Sequence, residues 1–452
     1  MDAAITAEQV RELRDFLVGG RLPHGAHDLI GVVAALEELK SAIGGVQVEA
    51  TVAFDAVRRS EQAASGVPAA RQGRGVAAEV ALARRESPHR GQVHLGLAKV
   101  LHAEMPHALA RLKDGSLNEF RALLVARETA CLTVEHRAFV DEELFADPAS
   151  LAGEGTRQVV ARVKRLAAEL DPASVVRRAR RAEADRHVSI RPAPDTMTYV
   201  TGLLPVAQGV AVIAALTKDA DALRAAGDPR PKGQLMADLM VARLSGVPMS
   251  FPGTAGDDEQ VPPPAVPVCV NVTVSDAALA GGHAPAEVSS DGIAPEVVPA
   301  EVARLLASRA LDAGVGAWFR QLYVAPLGRL VAMTSRQRSF STGLADFLGQ
   351  RGLGTCNTPW CDAPVRHADH VVPAGAGGAT TESNGQGLCE ACNHAKQAPG
   401  WSQQVVSHQR ERHQVETVTP SGHRYLSTAP APVGWREPRF VRTRPGVFTL
   451  VA

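Results

Sequence analysis

The sequence predicts an α+β protein that is mostly helical: an N-terminal helical bundle, a mixed α/β middle and a small C-terminal module. Three observations predict this class. Apolar residues recur at helical spacing in the first part of the chain, short alternating runs follow, and four of the six cysteines lie close together near the C-terminal end. Because 452 residues exceed the usual size of one domain, we predict several. They are a helical domain at 1–180, a mixed domain at 181–345, the module at 346–402 and an extension at 403–452.

Two apolar stripes predict the helical bundle. Residues three and four positions apart share one face of a helix, so each stripe predicts an amphipathic helix. The stripes consist of Leu29, Val32, Val33, Leu36 and Leu39, and of Val93, Leu95, Leu97, Val100 and Leu101. Glycine, proline and aspartate pairs predict the helix boundaries. These pairs are Gly44-Gly45, Ser87-Pro88, Asp114-Gly115 and Asp147-Pro148.

The middle of the chain mixes strands and helices. Period-two alternation on either side of a Pro-rich turn predicts a first hairpin, and a later Pro-Leu-Gly turn predicts a second. The stretch 248–267 is too rich in Pro, Gly and Asp to pack, so we expect a disordered loop there. The predicted strands are 186–191, 197–203, 268–274, 318–324 and 329–333, and the predicted helices are 205–226 and 232–244.

Charge and hydropathy exclude some classes of protein. The 48 basic and 48 acidic residues cancel, so the chain lacks the bulk positive field of a protein that coats nucleic acid. The N-terminus has no basic stretch followed by an apolar core, and no apolar run reaches the roughly 18–20 residues needed to span a bilayer. We therefore expect a cytoplasmic protein without a membrane partner. The sequence carries no signal for an oligomeric state.

Two basic stretches have an open role. Arginines and lysines between 157 and 191 could bind phosphates, but interspersed acidic residues favour a solvated helix face. The run 435–444 interleaves aromatic residues with arginines, and it fits a nucleic-acid contact and a solvated tail equally well.

The clustered cysteines predict a structural zinc site. Cys356 and Cys361 form one close pair, and Cys389 and Cys392 form a second. In a reducing compartment two such pairs indicate a metal site better than disulfides. Four thiolates complete the tetrahedral coordination of Zn²⁺, so this ion would stabilise the fold without catalysing a reaction. The remaining cysteines, at 131 and 269, stand alone in apolar stretches and are predicted to be small buried residues.

A second set of ligands lies between and beside the cysteine pairs. Asp369 and His370 end a short β-like run, and Asn393 follows the second cysteine pair on a predicted helix. The hard oxygens of Asp369 and Asn393 suit Mg²⁺ or Mn²⁺, which sulfur ligands do not. An imidazole beside such a metal can take a proton from water near neutral pH. These residue types form a working set for hydrolysis of a phosphodiester.

This stretch resembles the HNH endonuclease motif, in which two strands and a helix hold one catalytic divalent ion (the ββα-metal fold). The resemblance implies that His370 is the general base, Asp369 a metal ligand, and Asn384 the asparagine that fixes the loop. The third position is Asn393 and not histidine, as in the H-N-N version of the motif. Whether Asn393 or its neighbour reaches the metal stays open at this point. Lys396 matches the basic residue that follows in many members. We predict that Lys396, Arg366 and His394 contact nucleic acid, and a solvated surface position fits Arg366 equally well.

The rest of the chain resembles an actinobacterial family that joins a long domain of unknown function, of the type numbered 222, to a C-terminal HNH module. Three stretches carry the resemblance: 189–195 with 203–205, 329–333, and 384–401. The likeness covers most of 30–430 and is most specific near the C-terminal end. It implies no activity for the long domain.

The expected function is therefore a metal-dependent HNH endonuclease that hydrolyses phosphodiester bonds of nucleic acid, with double-stranded DNA as the expected substrate. The alternative is a zinc-stabilised nucleic-acid-binding protein without catalysis, which would need the four cysteines but not Asp369 or His370. A third hypothesis makes the first 350 residues an interaction scaffold and the nuclease its effector.

Overall fold

The computed structural model describes most of the chain. The described ranges are 4–151, 153–193, 197–246, 271–290, 293–312, 323–324, 330–331, 339–407, 411–432, 439–444 and 447–451. The chain divides into two compact units. The first unit contains Met1–Ser60 and Val93–Arg178, and the second contains Glu61–Gln92 and Ala179–Ala452. The boundaries predicted at 180, 345 and 402 stay predictions, and the predicted loop at 248–267 lies outside the described residues.

Nine helices precede the first described strand. They are α1 Ala7–Gly19, α2 Ala26–Ala64, α3 Val76–Arg84, α4 Pro88–Glu104, α5 Pro106–Lys113, α6 Glu119–Glu128, α7 Val134–Phe145, α8 Thr156–Leu170 and α9 Pro172–Ala184. The helices end where the sequence predicts at Ser87-Pro88, Asp114-Gly115 and Asp147-Pro148, so these three boundaries are confirmed.

Side chains near the helix termini satisfy free backbone N–H groups. Thr6 and Asn118 each accept a hydrogen bond from the backbone three residues later, at 3.2 and 2.9 Å, as N-cap residues do. The N-terminus of α5 is capped from another helix: the carboxylate of the fully buried Asp141, on α7, accepts the N–H groups of His107 and Ala108, each at 2.8 Å. Burial raises the pKa of Asp141.

The boundary predicted at Gly44-Gly45 is wrong, because α2 continues through both residues for a total of 39. Gly45 permits the close approach of Lys113, the last residue of α5, and neither glycine ends the helix. A Cβ atom at Gly45 would lie 2.5 Å from Lys113 Cγ and 3.2 Å from its backbone nitrogen. Contacts with α5 therefore outweigh the low intrinsic helix propensity of glycine, which costs about 1 kcal/mol per residue.

One apolar core holds the first unit together. Each fully buried large side chain contributes about 1.5–3 kcal/mol relative to an exposed one. The core includes Val48, Leu97, Leu101, Met105, Leu112, Val125, Val140, Leu144, Phe145, Val159 and Val163. Within this unit α6 and α7 pack against α8, and α5 packs against α6 and α7.

The second unit contains α3 and the later elements of the chain. These are β1 His187–Ala193, β2 Met197–Leu203, α10 Val206–Ala225, α11 Lys232–Ser245, β3 Asn271–Thr273, α12 Asp276–Leu279, β4 Ala286–Ser290, β5 Ile293–Val298, α13 Ala300–Asp312, β6 Tyr323–Val324, β7 Leu330–Val331, α14 Thr342–Arg351, β8 His367–His370, β9 Gly385–Leu388, α15 Glu390–Ala395, β10 Ser402–Val405, β11 Gln414–Val418, β12 Arg424–Thr428, β13 Arg439–Arg444 and β14 Val447–Val451.

All described strand pairs are antiparallel. The sheets are β1-β2, β3-β4-β5, β6-β7, β8-β9, β10-β11-β12 and β13-β14. The first predicted hairpin is confirmed by β1-β2, and the two predicted helices that follow it are confirmed by α10 and α11. The second predicted hairpin and the strand at 268–274 are confirmed over β6-β7 and β3, and their remaining residues lie outside the described ranges. In the described part of the chain, no helix has the length and apolarity that a membrane crossing requires.

The glycine crossing gives a first prediction. Gly45→Ala should lower the free energy of unfolding by about 2 kcal/mol, because the added methyl group meets the α5 backbone. Gly31→Ala is the matched control in the same helix, since a Cβ there meets nothing within 4 Å. The control should raise stability by roughly 0.5–1 kcal/mol, as alanine favours a helix more than glycine does. Urea unfolding followed by circular dichroism measures both; equal effects would contradict the close crossing.

Candidate active site

Four buried thiols lie together near the C-terminal end of the chain. Cys356 and Cys361 belong to the loop after α14, Cys389 is the N-cap of α15, and Cys392 lies on α15. Their sulfur atoms all lie within 4.8 Å of one another, and the Cys361 and Cys389 sulfurs are 3.8 Å apart. A zinc tetrahedron with bonds of about 2.3 Å has edges of about 3.8 Å. The donor set and its spacing therefore fit Zn²⁺.

The thiols cannot all ionise without a cation. A hydrogen bond with Cys361 lowers the pKa of Cys356 to about 7, and a hydrogen bond with Cys356 lowers the pKa of Cys389. In return, hydrogen bonds with Cys356 raise the pKa of Cys361 and that of Cys392. These shifts favour the thiolate at Cys356 and Cys389 and the protonated thiol at Cys361 and Cys392. A divalent ion removes this conflict, because it favours the thiolate form of all four.

The first cysteine loop is fastened to strand β9. Asn357 donates its backbone N–H to the carbonyl oxygen of Gly387 at 2.9 Å, and its side-chain oxygen accepts the Gly387 N–H at 3.2 Å. Position 387 has to be glycine, because a Cβ there would lie 2.8 Å from a methyl carbon of Val365. The loop therefore brings Cys356 beside the strand that leads to Cys389.

Strands β8 and β9 present the predicted catalytic residues. In this hairpin Asp369 pairs with Gln386 and His370 pairs with Gly385, and α15 packs against β8. The structure thus brings β8, β9 and α15 together as two strands and a helix. Asp369 and His370 lie at the end of β8 and line one open cleft of about 530 Å³, together with Lys396.

Asn384 holds the loop between the two strands. Its side-chain oxygen accepts the Val372 N–H at 2.9 Å, and its amide nitrogen donates to the carbonyl oxygens of Val372 and Ala379 at 3.0 and 2.9 Å. Position 378 admits only glycine, since a Cβ there would lie 1.8 Å from the Val372 oxygen. All three amide contacts serve the loop that follows His370.

The His370 ring is held on two sides. Its Nε2 atom lies 2.9 Å from the Thr380 hydroxyl, and its ring centroid lies 4.5 Å from that of Phe340. Thr380 is buried, and Phe340 packs with Leu344, Phe347 and Leu348 of α14. Phe340 therefore connects the imidazole to the hydrophobic face of α14. Thr380 and Phe340 could not be identified from the sequence alone, because neither belongs to the motif.

Four further predicted site residues lie on or next to α15 and β8. Lys396 makes an ion pair with Asp369 Oδ2 and donates a hydrogen bond to the carbonyl oxygen of His370. The side-chain oxygen of Asn393 is buried and accepts no hydrogen bond from any described residue. The side chains of His394, on α15, and Arg366, just before β8, are exposed. A carboxylate and an orphaned amide oxygen are donors that suit Mg²⁺ or Mn²⁺.

The β10-β11-β12 sheet is joined to β9 by buried polar groups. The Gln386 amide donates to the Gln403 side-chain oxygen at 2.6 Å, and Gln403 in turn donates to the Thr417 hydroxyl at 3.0 Å. A ring nitrogen of His413 lies 2.8 Å from the carbonyl oxygen of Ser383. The first part of the predicted extension is therefore packed against the ββα elements.

Helix α3 also packs against this region. Glu79 is buried, and its carboxylate accepts the Ser421 N–H at 3.1 Å. Burial, and secondarily the Glu79 charge, raises the pKa of Tyr425. Gly75 lies against Trp401: a Cβ there would be 2.7 Å from the indole nitrogen. The motif reading missed α3 because these contacts join positions more than 300 residues apart in the chain.

Comparison with known families agrees with this geometry. The model of the family described as a domain of unknown function, DUF222, matches residues 33–351, and the HNH endonuclease model matches residues 356–398. The DUF222 match alone covers more than half of the chain. The chain belongs to the DUF222 family. No curated protein and no solved structure matches it.

This DUF222 chain therefore carries an HNH endonuclease domain, as the resemblance implied. The domain contains the four cysteines and the cleft, and it supports a nuclease-type function and binding of nucleic acid. The predicted α+β class with a helical majority and a cysteine-framed module is confirmed. The roles of the individual site residues stay predictions.

The cysteine cluster of the DUF222 chain gives a second prediction. The purified protein should contain about one zinc ion per chain, and Cys392→Ser should lose it, because three thiols and a hydroxyl bind zinc poorly. Cys131→Ser is the control, since Cys131 lies apart from the cluster. Elemental analysis and thermal unfolding measure both. Full zinc content in Cys392→Ser would contradict the assignment of the four cysteines as the zinc site.

Proposed function

We propose that this chain is a metal-dependent endonuclease that hydrolyses phosphodiester bonds of DNA. One juxtaposition supports it above all: the His370 imidazole and the Asp369 carboxylate line the same open cleft in an HNH domain. A base and a hard anionic ligand side by side are what hydrolysis of a phosphodiester requires. An open cleft also admits the backbone of a duplex, which a nuclease contacts chiefly through its phosphates.

His370 is the proposed general base. Its Nε2 atom lies 2.9 Å from the Thr380 hydroxyl, a contact that orients the ring, and a neutral imidazole carries a lone pair that can take a proton from water. Contact with Phe340 holds the ring plane, so the base need not be ordered again in each turnover. Thr380 and Phe340 are thus positioning residues for the proposed base.

Asp369 and Asn393 would hold the divalent ion. Asn393 is favoured over His394, because the Asn393 side-chain oxygen is buried without a hydrogen-bond donor while His394 is exposed. A metal bound there supplies stabilisation of the charge that grows on the phosphate and on the leaving oxygen. The zinc site stands apart from this chemistry because four sulfurs saturate its coordination.

Asn384 acts on the base through the backbone. Its three amide hydrogen bonds fix the loop after His370, and that loop also contains Thr380. The buried Arg351 adds hydrogen bonds to the carbonyl oxygens of Glu382 and Gly385 at the other end of the loop. Arg366 and His394 are the proposed contacts with the nucleic-acid backbone, since their side chains are exposed next to β8 and on α15.

The zinc-stabilised binding protein without catalysis makes a different prediction. It needs the cysteine cluster for DNA binding but neither a divalent ion nor Asp369. Incubation of supercoiled plasmid with the protein, with Mg²⁺ or Mn²⁺ and then with a chelator selective for those ions, separates the two functions. Binding without any cleavage under every condition would favour the second.

The base gives a third prediction. His370→Ala should lower the cleavage rate by about 100-fold to 10,000-fold, the usual contribution of a general base. Zinc content and thermal unfolding should stay unchanged, because the ring has no part in the thiol cluster. His102→Ala is the control, since His102 is an exposed residue of α4 in the first unit. Plasmid cleavage measures the rates. Cleavage at the full rate by His370→Ala would show that His370 is not the general base.

A further inference from the structure

Lys396 is a buried lysine at the centre of the proposed active site. Its side chain is only 10% exposed, and it pairs with Asp369, whose side chain is 22% exposed. The same ammonium group donates to the carbonyl oxygen of His370. The backbone of Lys396 is anchored as well, because its N–H donates to the carbonyl oxygen of Cys392 at 3.1 Å.

The pairing with Asp369 is a contact between charges. Asp369 Oδ2 is buried and, among the described residues, receives no hydrogen bond of regular geometry. A nearby positive charge stabilises a buried carboxylate oxygen, and a largely buried ammonium group needs a negative partner. Lys396 thus fulfils for Asp369 the electrostatic role that a bound divalent ion would fulfil.

We propose that Lys396 is a resident counter-ion that competes with the divalent metal for Asp369 and is released when the metal binds. This inference rests on the proposed function, because it takes Asp369 as a metal ligand. An ammonium group in contact with Asp369 Oδ2 repels a divalent ion that approaches the same carboxylate, and the repulsion is stronger at low local dielectric. Each cation therefore weakens the binding of the other.

The displaced side chain has a destination. Lys396 lines the same open cleft as His370, and its flexible four-carbon stem allows the ammonium group to turn from the carboxylate toward a phosphate. Metal binding and substrate binding would then be coupled: the ion frees the lysine, and the freed lysine binds the phosphodiester. At low concentration of divalent ions the lysine keeps the site closed to metal.

The test measures Mn²⁺ affinity by isothermal titration calorimetry on the zinc-loaded, full-length protein without DNA. Lys396→Gln should bind Mn²⁺ about tenfold more tightly than the unchanged protein, within the usual range of coupling between competing ligands. Lys396→Met is a second variant that keeps the length of the side chain and should behave alike. Arg366→Gln is the matched control, because it removes a positive charge next to β8 that is exposed, and it should change the affinity by less than about twofold.

The outcomes separate this inference from the proposed function. Equal or weaker Mn²⁺ binding by both Lys396 variants, at full zinc content, would overturn the competition while leaving the metal site intact. Mn²⁺ binding that Asp369→Asn does not weaken, or no Mn²⁺ binding by any of the proteins, would overturn the metal site and with it the proposed function. Tighter binding in the Lys396 variants alone supports both.

Discussion

The four-sulfur cluster is the constraint on which the small module depends. Its sulfurs come from a loop and from the start of a six-residue helix, α15, which is too short to be stable by itself. Zinc would fix that helix against the first cysteine loop, and the loop is fastened to β9 by Asn357. Because α15 also carries Asn393, geometry set by sulfur determines where the oxygen donors lie. The proposed catalytic site therefore depends on the zinc site for its geometry, although a different ion would bind at each.

Local signals in the sequence were sufficient for much of this fold. Cysteine spacing identified the cluster, alternation identified the β1-β2 hairpin, and three of the four predicted helix boundaries were correct. The HNH likeness brought together the residues that line the cleft, since the motif is defined over about forty residues in which strand, loop and helix follow one another directly. In such a short segment, elements that follow one another in the sequence are also neighbours in the structure.

What the sequence did not predict depends on contacts between distant positions. Gly44 and Gly45 look like a helix end until α5 is known to lie against them. Lys396 looks like a free phosphate ligand until its ion pair with Asp369 is seen. Thr380 and Phe340 contact the His370 imidazole, but both lie outside the motif, so the sequence does not predict these contacts. In each case tertiary packing determines the partner, and the spacing of apolar residues along the sequence does not predict it.

The packing of α3 has an evolutionary consequence. Contacts of Glu79 with Ser421 and of Gly75 with Trp401 join α3 to the segment that follows the HNH domain. A recombination event that moved only the last hundred residues to another gene would leave part of their packing surface behind.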